Sequence, residues 1–311
     1  MKYSRFDITM VAEQATSLPI FKGSMIRGAL GHALKSVVCA VREKNCQSCL
    51  LFTHCIYART FESKPDTAST FQSQRPHPYA LELSPSTQTL FAEGDPLEYS
   101  LILIGEFYQY LPYFVYSIER LGEQGLGKKQ EQHRAQFLLQ KICCNDQIIY
   151  DSNHRTLPPS IPFRSLTLGG AEHPSVNSLT LHFLTPLRVK NQGKLVSADA
   201  LDFPILFRTL MRRIRTLWQE YSDIPLVVEE SHLYELSTKI ETGASDLRWH
   251  DQIRYSNRQQ SLQKLGGLLG SITFTGDLSQ YLPFLEMGKL LHIGKETTFG
   301  LGQYACHEPH G

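Results

Sequence analysis

The sequence has no long apolar run. Its first ten residues, MKYSRFDITM, include Lys2, Arg5 and Asp7 and offer no hydrophobic stretch for a secretion signal. No later window is apolar enough to span a bilayer. Both absences point to a cytoplasmic protein with no membrane partner. Charge of one sign is also missing: the formal net charge is +1, so any affinity for phosphates must come from local grouping of basic residues. An even set of cysteines is missing too. Seven cysteines without an export signal disfavour a disulfide framework, which makes metal binding the better reading of any cluster. What is present is a 311-residue chain, 41% hydrophobic and 20% charged, long enough for two ordinary domains and apolar enough to give each a core. That composition excludes disorder.

Periodicity divides the chain in two. Residues 3 to 13 alternate as a strand, and Gly23 to Arg42 carries Ile26, Ala29, Leu30, Ala33, Leu34, Val37, Val38 and Val41 at helical spacing. Strands are expected near 79 to 83 and 97 to 105, a helix near 107 to 121, and a strand near 134 to 143 after the GEQGLGKK turn. That order, β-α-β-β-α-β, suits a ferredoxin-like α+β domain. The second half repeats it: SLTLHFLTPLRV as a strand, Ala198 to Tyr221 as a helix, strands near 226 to 240, 248 to 256 and 267 to 276, a helix near 279 to 291, and a final strand. Ser152 to Pro174, with Pro158, Pro159, Pro162, Gly169 and Gly170, reads as the linker. The expected domains are therefore 1–170, with a cysteine-bearing insertion, and 171–311.

Three groups of residues carry chemistry. Cys39, Cys46, Cys49 and Cys55 fall in one short segment around a CxxC pair and can close a tetrahedral site. Zinc is the leading metal, in a structural role because a four-ligand site leaves no open position. An iron–sulfur cluster would use the same thiolates, and His54 could replace one cysteine. In GKETTFGLG, Gly294, Gly300 and Gly302 allow backbone amides to approach a phosphate while Lys295 supplies charge. The GK[ST] ending of a nucleotide-binding P-loop is absent, which excludes an ATPase, and the competing reading is a tight turn before an edge strand. On FRTLMRRIRTLW, Arg208, Arg212 and Arg215 lie on a flank opposite Phe207, Leu210, Ile214 and Leu217. Arg254 and Arg258, with Trp249 and Tyr255 nearby for stacking, extend the basic set.

The segment Gly266 to Tyr304, together with FKGSMIRGALGHALK and RYSNRQQ, resembles the glycine-rich signature of the CRISPR-associated RAMP superfamily. It is most similar to the repeat-cleaving endoribonucleases that process precursor crRNA, in the branch with a cysteine cluster after the first helix. The resemblance implies two tandem ferredoxin-like, RRM-like domains that hold single-stranded or hairpin repeat RNA in a basic groove. It also implies cleavage without a catalytic metal, giving 2′,3′-cyclic phosphate and 5′-hydroxyl ends. His32 lies opposite the apolar stripe of its helix, one turn from Lys35, and similar enzymes place a catalytic histidine at or near the first helix. His32 is thus the expected general base, with Lys35 stabilising the phosphorane. His292, just before the glycine loop, is the rival, and Lys22, Arg27 and Tyr255 are further candidates for contact with RNA or its chemistry. The other reading is a non-catalytic RAMP subunit that binds crRNA beside the partners of an effector complex. A zinc-containing RNA-binding module outside CRISPR systems leaves Gly266 to Tyr304 unaccounted for.

Overall fold

The structure, a computed structural model, describes residues 1–42, 45–62, 75–84, 86–130, 133–168, 175–256 and 261–307, with only the backbone at 130, 253–256 and 262. The chain divides into two compact units, Met1–Ser165 with Glu220–Ser222, and Leu166–Gln219 with Asp223–Gly311.

The first unit begins with β1 (Lys2–Ala12), followed by α1 (Gly23–Val38), α2 (Ile56–Phe61), β2 (Tyr79–Leu83), β3 (Pro96–Ile104), α3 (Leu111–Gln124), β4 (Phe137–Cys144) and β5 (Gln147–Asp151). The strands form one antiparallel sheet in the order β2-β3-β1-β4-β5. Alternation along β1 drives one face inward: Phe6, Ile8, Met10 and Ala12 are buried. Ile26, Leu30, Ala33 and Leu34 of α1, with Phe114, Ile118 and Leu121 of α3, join them in one core. The expected first helix ends four residues early, at Val38 rather than Arg42. Cys39 turns to an extended conformation (ψ 92°), and Val41 beyond it is 46% exposed, so the apolar period outlasts the surface able to bury it. The short α2 escaped prediction because six residues cannot display a helical period.

The second unit has β6 (Ser178–Leu187), a hairpin of β7 (Lys190–Asn191) and β8 (Lys194–Leu195), then α4 (Phe203–Tyr221) and α5 (Glu230–Ser237). These are followed by β9 (Glu241–Ser245), β10 (Arg248–His250), β11 (Ile253–Ser256), β12 (Ser261–Lys264), β13 (Gly267–Thr275), α6 (Leu282–Leu291) and β14 (Tyr304–His307). Its main sheet runs β9-β13-β6-β14, with β10 also on β13. In both units the four strands of the repeat stand in the order second, third, first, fourth, with helices in the two crossovers. The fold is therefore two tandem ferredoxin-like units, the α+β class expected. One element is corrected. The segment expected as a strand near 226 to 240 contains helix α5, because Tyr234 packs on Phe207 of α4 (5.9 Å between ring centroids) and strand pairing passes to β9. Among the described residues no helix is long and apolar enough to cross a membrane.

Candidate active site and nucleic-acid interface

Helix α1 presents the first group. With Ile26, Leu30 and Leu34 anchored in the core, the helical period turns position 32 outward, and His32 is exposed. Among the described residues His32 makes no hydrogen bond or ion pair. Lys35, one turn on, is half-buried, and its ammonium sits 5.4 Å from the centre of the Tyr57 ring. Tyr57 comes from α2, stacks on Phe61 at 5.6 Å and donates to Glu62 Oε1 at 3.4 Å. Burial, with the neighbouring Glu62 charge, pushes its phenol up to about 12, so it stays protonated at neutral pH. Arg27, half-buried on the same helix, places its guanidinium 5.4 Å from the Phe61 ring. Gly31 lets that ring approach, since a Cβ there would stand 3.2 Å from it. Arg27, Lys35, Tyr57 and Phe61 thus form a cation–aromatic cluster beside the exposed histidine, which sequence reasoning missed because α2 was not foreseen.

Two expected residues are corrected by burial. Lys22 is 8% exposed, its ammonium donates to the carbonyls of Ile20 and Ser86, and desolvation lowers its pKa. A lysine so enclosed is a brace for the β1–α1 connection and not a surface contact for phosphate. His292 is 0% exposed, at a positive φ of 61° that ends α6. Its flanking Leu291 and Ile293 are equally enclosed, so a 2′ hydroxyl has no route to the ring in this structure.

The glycine-rich loop is a clasp. Gly294 (φ 90°), Gly300 (φ 86°) and Gly302 (φ 73°) all need the left-handed region. The amide of Lys295 bonds Arg188 O, that of Gly302 bonds Pro186 O, and those of Gly300 and Phe299 bond Thr297 O and Glu296 O. These amides are therefore occupied by the protein's own carbonyls. The loop offers a ligand the exposed Lys295 side chain more readily than the backbone cradle expected.

On α4, Arg208 and Arg212 are exposed, and Arg208 lies 5.8 Å from the Tyr234 ring. Arg215 differs. Its Nη1 meets Glu230 Oε2 of α5 at 3.0 Å, and Tyr234 donates to the same oxygen at 2.8 Å. The flank that reads as free of acid along α4 is thus neutralised at Arg215 by the next helix. Arg254 belongs to strand β11, paired with Gln263 of β12, and Arg258 lies outside the described residues.

The four clustered cysteines are half-buried: Cys39 caps the end of α1, Cys46 opens and Cys49 closes a 3₁₀ turn at Cys46–Ser48, and Cys55 precedes α2. Among the described residues no group of three or more His, Cys, Asp or Glu side chains is placed to hold a metal ion. Elsewhere, burial raises the thiols of Cys144 and Cys306, the latter to about 12, which suits inert packing.

Comparison with known proteins divides along the same line as the fold. An AF_1859_N family model, described as an N-terminal domain, matches residues 1–161, and the model for the CRISPR-associated endoribonuclease Cas6 matches 181–304. A curated protein of Archaeoglobus fulgidus, described as uncharacterized, is 22% identical over 290 residues, covering 92% of this chain and 91% of its own. Among solved structures, a Cas6 product complex superposes with TM-score 0.58 at 16% identity, covering 98% of this chain and 100% of that one. Thermus thermophilus Cas6 gives 0.53 at 16%, covering 98% of each chain. A partial Cas6-RT-Cas1–Cas2 complex gives 0.61 at 12%, covering all of this chain and 47% of that one. At these identities the superpositions establish the fold, two tandem ferredoxin-like units, and the matching models supply the lineage. The chain belongs to the AF_1859_N family by the model that matches residues 1–161, and its residues 181–304 match the model of the CRISPR-associated endoribonuclease Cas6.

Proposed function

We propose that the protein is an endoribonuclease that cuts CRISPR repeat RNA to process precursor crRNA, and that His32 starts the cut. The observation that carries this reading is an exposed imidazole on α1, one turn from Lys35 and beside a cation–aromatic cluster, in a chain whose residues 181–304 match the Cas6 model. Neutral His32 takes the proton of the 2′ hydroxyl next to the scissile phosphate. The 2′ oxygen attacks phosphorus, the bond from phosphorus to the 5′ oxygen breaks, and an acid protonates that leaving oxygen. The products are a 2′,3′-cyclic phosphate and a 5′ hydroxyl. Both proton transfers involve side chains and the nucleophile belongs to the RNA, so the route requires no metal. Lys35 and Arg27 supply positive charge for the phosphorane, and the exposed Arg208 and Arg212 contact phosphates farther along the strand.

The test is incubation of end-labelled repeat RNA with protein in excess chelator. Cleavage to a cyclic-phosphate end supports the reading. Tight binding without cleavage would instead favour a crRNA-binding subunit of an effector complex. Zinc on Cys39, Cys46, Cys49 and Cys55 is a separate proposal that rests on their spacing, and it requires the 39–55 segment to draw its thiols together.

A further inference from the structure

An ammonium on a long flexible stem stabilises a phosphorane only while it is held where the charge develops. Helix α2 meets that need for Lys35. Along α1, Arg27, Gly31 and Lys35 recur every fourth residue and form one inclined stripe, with His32 next to its middle member. Gly31 leaves a gap between the two cations, and α2 fills it with rings. Tyr57 and Phe61, also four residues apart, share a face of α2 and stack at 5.6 Å with 15° between their planes. A Cβ on Gly31 would stand 3.2 Å from the Phe61 ring, so a bare glycine is what lets the ring pair settle there.

The pair is fixed from behind. Phe61 is buried and lies 5.2 Å from the ring of Tyr79 in β2, which is itself wholly enclosed. Tyr57 is held at its outer end by its bond to Glu62 Oε1. A line of three rings therefore runs from the sheet to the surface, and the Lys35 ammonium sits 5.4 Å from the last of them. The Arg27 guanidinium sits 5.4 Å from the middle one. Each cation thus faces a ring that cannot follow it if it moves.

We propose that Tyr57 is a positioning residue for the cleavage: backed by Phe61, its ring holds the Lys35 ammonium where negative charge develops on the phosphorus. The residue acts through Lys35, with its ring and not with its hydroxyl. This inference rests on the RNA-cleavage reading and adds α2 to the machinery that reading places on α1.

The experiment measures single-turnover cleavage of end-labelled repeat RNA at saturating protein, with RNA affinity measured separately. Wild-type protein is compared with Tyr57→Leu, Tyr57→Phe, Lys35→Ala and Tyr57→Leu/Lys35→Ala, each checked for folding by its melting curve. Tyr57→Leu should slow cleavage by about two- to fivefold, the weight of one cation–ring contact at a part-exposed site, while affinity holds. Tyr57→Phe, the conservative variant, keeps the ring and should restore the wild-type rate. Lys35→Ala should lose roughly tenfold or more, and in that background Tyr57→Leu should cost nothing further, because the group it positions is gone. Where the leucine variant does not fold, Tyr57→Met gives the same comparison. An unchanged rate in Tyr57→Leu would overturn the proposal, and so would an equal loss in both Lys35 backgrounds, which marks packing alone. Tyr57→Phe as slow as Tyr57→Leu would overturn it in favour of the hydroxyl. Lys35→Ala at the wild-type rate would remove both lysine and ring from the chemistry and leave His32 in place. Wild-type protein that binds the repeat without cutting it would overturn the functional reading and this inference with it.

Discussion

Replacing Gly302 by alanine tests whether the glycine-rich loop is a clasp first and a ligand site second. Gly302 holds φ at 73°, where an added Cβ costs about 1 to 2 kcal/mol. That Cβ would be 2.9 Å from the carbonyl carbon of Ile293 and closer still to its oxygen, both main-chain atoms that no rotamer change can move aside. Forcing them apart adds about 1 to 3 kcal/mol of overpacking. It also strains the bond from the Ile293 amide to Gly302 O (3.0 Å), worth about 1 kcal/mol. The expected loss is about 4 kcal/mol. In urea, with a slope of about 2 kcal/mol per molar, the transition involving the carboxy-terminal unit should move down by roughly 2 M. Circular dichroism and tryptophan emission, from Trp218 and Trp249 of that unit, would follow it. RNA affinity measured well below the transition should change little. An unchanged midpoint with weakened RNA binding would refute the reasoning and return the loop to the role of backbone cradle.

Gly28, in the middle of α1 with nothing within 4 Å of an added Cβ, gives the opposite expectation: Gly28→Ala should raise stability by about 0.5 to 1 kcal/mol. A lower midpoint would mean the helix interior is more crowded than described. Arg212→Ala should lower the salt slope of RNA binding by about 0.7 to 0.9 with stability unchanged. Arg215→Ala should do the reverse, costing about 1 kcal/mol by leaving Glu230 unpaired while binding holds. Equal effects of the two on binding would show that Arg215 leaves Glu230 for RNA. Metal analysis decides the cysteine proposal: one zinc per chain, with Cys49→Ser unfolding more readily, supports it, and protein without stoichiometric metal removes it.

The element order was legible because both units repeat the same pattern of period-2 and period-3.6 segments, and β1 and α1 each bury one unbroken apolar face. The α5 segment was not legible. Val227 and Val228 read as strand residues, yet Val227 is 86% exposed and the following residues are recruited as a helix by Phe207. The exposure of His32 followed from the wheel, since position 32 is fixed by its core-facing neighbours. The apolar flanks of His292, Leu290, Leu291 and Ile293, already pointed to its burial, whereas that of Lys22 could not be read from its flanks, because it involves a residue distant in sequence, as the carbonyl of Ser86 against Lys22 shows. The neutralisation of Arg215 was hidden for the same reason: its partner Glu230 lies on a helix the pattern misassigned. The glycine loop announced its positive φ angles but not that Pro186 and Arg188 would occupy its amides.

The central claim is that His32 removes the 2′ proton. Single-turnover cleavage of end-labelled repeat RNA in excess chelator, by wild-type protein and His32→Ala side by side, tests it most directly. The account predicts that wild-type protein yields a cyclic-phosphate end and spares an RNA carrying a 2′-deoxy nucleotide at the cut. His32→Ala should bind with wild-type affinity while cleavage falls by about two to four powers of ten. Cleavage by His32→Ala at the wild-type rate would contradict it.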